Sequence, residues 1–150
     1  MTTFESLLAG LARAGVEFVV VGGLAVAAAG FARVTDAVDL LVEASEANLV
    51  RLLAALRPFS EAAAELTPAD FPLEEGAVRV AEAFDLDLYT RMSGHAYADL
   101  LPLSAARDVG GVPVRFLGAE GLIRLKVPSL RPKDQLDVQV LHDLLVRRAA

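Results

Sequence analysis

The feature that most constrains this chain is a strand-like run that breaks on two glycines and continues at once as a helix. Val16 to Val21 is β-branched and aromatic with a single charge, Gly22-Gly23 follows, and Leu24 to Ala29 is Ala-rich and closed by Gly30. The first run has the composition of a buried strand. The small side chains of the second suit a short helix packed closely on that strand. Upstream, Phe4, Leu7, Leu8 and Leu11 fall at helical spacing and Gly15 sits where a helix would stop, so the unit is entered through a helix over residues 3–14.

The rest of the chain alternates in the same manner. Ala37 to Val42 reads as a second strand, and Ser45 to Leu56 as an amphipathic helix capped by Ser45 and ended by Pro58. Glu61 to Pro72 carries turn chemistry, as capped turns or a short helix. Ala77 to Ala81 and Phe84 to Tyr89 read as strands, the second alternating Phe84, Leu86 and Leu88 against Asp85, Asp87 and Tyr89. A short helical stretch over Tyr97 to Leu101 follows, then a hairpin-like return over Val109 to Leu117. Two closing helices, Ala119 to Lys126 and Asp134 to Arg148, complete the chain. The expected class is α+β, a mixed sheet flanked by helices, in a single domain over residues 1–150.

Composition removes whole classes of chemistry. Hydrophobic residues make up 55% and charged residues 23%, which excludes intrinsic disorder. The longest stretch without a charge, Phe18 to Ala32, is shorter than the roughly 20 residues a membrane helix needs. Met1 leads into no basic segment with an apolar run behind it, so a cytoplasmic address without membrane partners is expected. No cysteine is present, and His95 and His142 each stand alone, so any metal must sit on carboxylates. Neither Gly-x-Ser-x-Gly nor the Walker pattern occurs. With 14 Lys+Arg against 20 Asp+Glu, the net charge of -6 advertises no broad nucleic-acid surface.

Three constellations remain. Gly22-Gly23, at a strand-to-helix turn, lets the backbone approach a ligand and suits a phosphate; the same glycines also serve a tight turn with no ligand. Residues two apart on a strand face the same way, so positions 37 and 39 share a face, as do Asp85 and Asp87, while Asp36 points to the other side. Asp39 runs into Leu40-Leu41-Val42 and Asp87 lies between Leu86 and Leu88, and an acid set in an apolar strand calls for a partner. If the two strands are neighbours, Asp39 and Asp87 converge on a hard cation such as Mg²⁺. The third constellation, Lys126 with Lys133, Asp134 and Asp137, forms an ion-pair cluster or presents its lysines to phosphates.

Taken in order, Phe18-Val-Val-Val-Gly-Gly-Leu-Ala25, Gly30-Phe-Ala-Arg33-Val-Thr35, Val38-Asp39-Leu-Leu-Val42, Leu86-Asp87-Leu-Tyr-Thr-Arg-Met-Ser-Gly94, Leu122-Ile-Arg-Leu-Lys126 and Arg131-Pro-Lys-Asp134-Gln-Leu-Asp137 resemble the nucleotidyltransferase superfamily, in its small prokaryotic branch of abortive-infection and toxin-type proteins. The resemblance implies transfer of NMP from an NTP, with Mg²⁺, to an RNA 3′ end, a protein side chain or a small molecule. It also implies a toxin–antitoxin or phage-defence setting with a cognate partner protein. Carried over, Gly22 and Gly23 match the glycine turn, and Arg33 and Thr35 the approach to an Asp-x-Asp pair. Asp39 matches the second Asp of that pair, Asp87 the third carboxylate and Lys126 a lysine that approaches the triphosphate. Asp39 and Asp87 are thereby the expected metal ligands and, with Lys126, the expected catalytic residues. The first Asp of the pair falls on Ala37, a departure that implies a weakened or inactive site; the alternative is a non-catalytic nucleotide-binding or regulatory module.

Overall fold

A computed structural model describes residues 3–30, 37–71, 76–81, 84–127 and 132–149. Helix α1 (Phe4–Arg13) opens with Thr3 and Ser6 capping each other and buries Leu7, Leu8 and Leu11. Strand β1 (Phe18–Val21) is buried throughout and passes directly into α2 (Gly22–Ala28). Strand β2 (Ala37–Val42) leads to α3 (Glu46–Leu56), whose cap Ser45 accepts from the Asn48 N–H. Strands β3 (Ala77–Ala81) and β4 (Asp85–Tyr89), α4 (Tyr97–Leu100), β5 (Ser104–Val109), β6 (Val112–Leu117), α5 (Ala119–Lys126) and α6 (Pro132–Ala149) follow.

The fold is α+β, around a six-stranded mixed sheet in the order β3-β4-β2-β1-β6-β5. Strands β2 and β4 are parallel, as are β1 and β6; the other neighbours are antiparallel. Val19, Val20, Val21, Leu40, Leu41 and Leu88, at the centre of the sheet, are fully buried. Helix α2 lies on β1 and β2 and against α5, which α6 covers, while α1 packs on β6 and α3. Among the described residues no helix is long and apolar enough to cross a membrane.

Asn48 ties the start of β1 to the end of β2. Its buried amide donates to the carbonyls of Glu17 (3.0 Å) and Glu43 (2.7 Å) and accepts from the Glu17 N–H (2.8 Å). At the far edge β5 and β6 are joined through Gly110-Gly111, both at positive φ, the conformation that a two-residue hairpin needs.

Two expectations from sequence are corrected here. Helix α2 starts at Gly22, not Leu24, because the glycines are its first turn. The hairpin starts at Ser104, not Val109: the middle of β5, Ala105 to Asp108, is exposed on an edge and lacks the apolar alternation that marks a strand.

Candidate carboxylate site

The register of β2 and β4 brings the two acids together. Asp39 stands directly opposite Asp87, and Ala37 opposite Asp85. Neighbouring strands lie about 4.8 Å apart and residues two apart share a face, so positions 37, 39, 85 and 87 are the corners of one quadrilateral on one face of the sheet. Three corners are acidic and the fourth is Ala37. Parallel pairing of two short apolar strands makes this arrangement, and it brings Asp39 and Asp87 together as the sequence predicts.

Gly22 completes one side. Val21, the last residue of β1, is opposite Asp39, so the chain turns into α2 beside that carboxylate. Gly22 has φ +71°, and a Cβ there would fall on the carboxylate of Asp39. The glycine is therefore required twice, for its backbone conformation and for the room it leaves the acid. Gly23 continues the first turn of α2.

Arg79, a residue that no motif singled out, holds Asp87 from the edge strand β3. It lies opposite Asp87 in the antiparallel β3–β4 pair. Its Nε donates to Asp87 Oδ1 at 2.8 Å and its Nη2 to Oδ2 at 3.0 Å, a bidentate fork, and Nη1 reaches Asp85 Oδ2 at 3.5 Å. The Arg79 side chain is 59% exposed, that of Asp87 only 9%. The fork holds the guanidinium well above its ordinary pKa, chiefly through the hydrogen bond to Asp87. A lone arginine between valines in a five-residue strand was the available signal; its register against Asp87 was not readable.

Asp39 behaves differently. Burial pushes its carboxyl up to about 6, and the charge of Asp87 pushes the same way; Arg79, Lys126 and Lys133 pull it down by less. The lysines of α5 and α6 thus stand close enough to act electrostatically on the acid. Lys126 itself bonds to Asp134 Oδ1 and Asp137 Oδ2, each at 3.1 Å, with all three side chains largely buried. Of the two arrangements open to this cluster, the ion-pair cluster is the one formed. Ser93, at φ 49°, donates its hydroxyl to the Leu125 carbonyl and ties the loop after β4 to the helix that carries Lys126.

Arg33, Thr35 and Asp36 lie outside the described residues. His95 sits in a small bridge with Met92, and His142 is exposed on α6. A cavity of about 400 Å³, lined in part by Ala44, Glu46, Thr67, Phe71 and Thr90, opens toward the C-terminal ends of β2 and β4 rather than at the acids.

The donor set fits one hard cation between Asp39 and Asp87, provided Arg79 releases Asp87. The corner at position 37 adds only a methyl group to that set. Among the described residues no group of three or more His, Cys, Asp and Glu is arranged to hold a metal ion. No protein-family model and no curated protein matches this chain.

Proposed function

We propose that the chain is a nucleotidyltransferase-type domain that takes an NTP, with Mg²⁺, at Asp39 and Asp87. The observation that carries this reading is the direct register of Asp39 with Asp87 on parallel strands, beside a glycine bend that the first acid fills. In the reaction an acceptor hydroxyl forms an O–P bond to the α-phosphate, its proton passes to Asp87, and pyrophosphate leaves. The acceptor is an RNA 3′ end, a protein side chain or a small molecule, in the cytoplasm, and the protein acts as a toxin or defence component with a partner that restrains it. Bound Mg²⁺ would supply charge neutralisation between the triphosphate and the carboxylates.

The chain's own residues have separate tasks in this reading. Gly22 and Gly23 keep side chains away from the phosphates. Asp39 and Asp87 hold the cation. Lys126, drawn toward Asp134 and Asp137, contributes positive charge beside Asp39. Asp87 receives a proton only after Arg79 lets go of it, since both its oxygens accept from the guanidinium.

Ala37 and the Arg79 fork favour a second reading, a regulatory module that binds nucleotide without transferring it. Incubating this chain and its Ala37→Asp variant with each labelled NTP and with cell RNA or lysate separates the two. Transfer of label that rises with Ala37→Asp is expected for the enzyme. Equal label in both removes position 37 from the site, and nucleotide binding without transfer in either supports the module.

A further inference from the structure

Arg79 and a divalent cation answer the same need at this site. Asp87 is almost fully buried, and a buried carboxylate requires a counter-charge. The guanidinium meets it with two short charge-assisted hydrogen bonds, one to each oxygen, and extends a third nitrogen toward Asp85. A cation held by Asp39 and Asp87 would add a second positive charge beside a carboxylate that the guanidinium already neutralises, and like charges repel where water is partly excluded. Arg79 is well placed to give way. It stands on edge strand β3 and its side chain is more than half exposed, so it can swing into water without opening the core.

We propose that Arg79 is the resident counter-ion of the site and competes with the divalent cation for Asp87, so that cation binding requires exchange of the guanidinium for the metal. This rests on Asp39 and Asp87 as cation ligands, and the experiment separates failure of the exchange from failure of that reading.

Mn²⁺ binding to the nucleotide-free full chain, followed by the electron-paramagnetic signal of the unbound ion, tests it without any turnover. Arg79→Gln is expected to bind Mn²⁺ about tenfold or more tightly than the native chain. The gain is expected to disappear in Arg79→Gln combined with Asp87→Asn. Equal affinity of the native chain and Arg79→Gln, with binding still lost in Asp87→Asn, overturns the exchange and leaves the ligands standing. Absence of saturable binding in every variant overturns both. Should Arg79→Gln fail to fold, the native chain decides. Its Arg79 Nε–H resonance, protected by Asp87, is expected to move toward those of solvent-exposed arginines as Mg²⁺ is added, and a resonance unmoved at saturating Mg²⁺ overturns the proposal.

Discussion

The carboxylate of Asp39 occupies the space that a side chain on Gly22 would fill. Gly22 opens α2 at φ +71°, and Asp39 faces it from the neighbouring strand β2. Bend and acid are therefore one unit. The glycine needs no ligand to account for it, and a ligand that comes to Asp39 also comes to the end of β1.

Gly22→Ala should destabilise the protein by about 2–4 kcal/mol, from the positive φ together with the collision. Combining it with Asp39→Ala should recover part of the loss, because the side chain it strikes is shortened. Urea midpoints of the four proteins check this; a coupling of about 1 kcal/mol or more is expected, and strict additivity would show that the two positions do not touch.

The pH dependence of stability should carry the mark of Asp39. Its folded pKa is raised from 3.8 to about 6 by burial first and by Asp87 second, against the pull of Arg79, Lys126 and Lys133. Between those values the folded state binds the extra proton. Stability from this group is therefore full below about pH 4, falls as the pH climbs through about 6, and levels off above. Asp39→Asn removes that fall, so in EDTA the variant should gain about 1–2 kcal/mol on the native chain between about pH 4 and 7, allowing for solvent screening of an incompletely buried group. Urea unfolding across that range checks it; a difference that does not change with pH would contradict the assignment.

Lys126→Gln should cost about 2–4 kcal/mol, because it removes a cation bonded to two buried carboxylates, Asp134 and Asp137. If the lysine's task is this cluster, Asp134→Asn with Asp137→Asn in the Lys126→Gln background should restore much of the stability. Thermal unfolding of the single and triple variants measures it, and a triple variant no more stable than the single one would rule the cluster out as the source of the loss.

Much of the sheet was legible because its strands are short apolar runs with clear ends. Alternation in Phe84 to Tyr89 put Asp85 and Asp87 on one face, and the register of β4 with β2 agrees, although burial does not alternate: Asp87 is buried like Leu86 and Leu88 beside it. The same reasoning placed position 37 with Asp39. What alternation cannot convey is the pairing partner. That β2 runs parallel to β4 in direct register, and that β3 returns with Arg79 opposite Asp87, are tertiary facts with no local signature. Residue spacing likewise left Lys126 open between an ion-pair cluster and a lysine presented to phosphates, and packing of α6 on α5 brings the buried Asp134 and Asp137 to it. Strand β5 escaped because an exposed edge strand has little apolar content to read.

If acids from two adjacent parallel strands jointly hold a metal-bound triphosphate, calorimetric titration with each NTP in the presence and absence of Mg²⁺ will register it. Saturable, Mg²⁺-dependent binding to the native chain is expected, lost in folded Asp39→Asn and in folded Asp87→Asn. Both variants binding NTP with the native Kd, or a native chain that binds none, would contradict it.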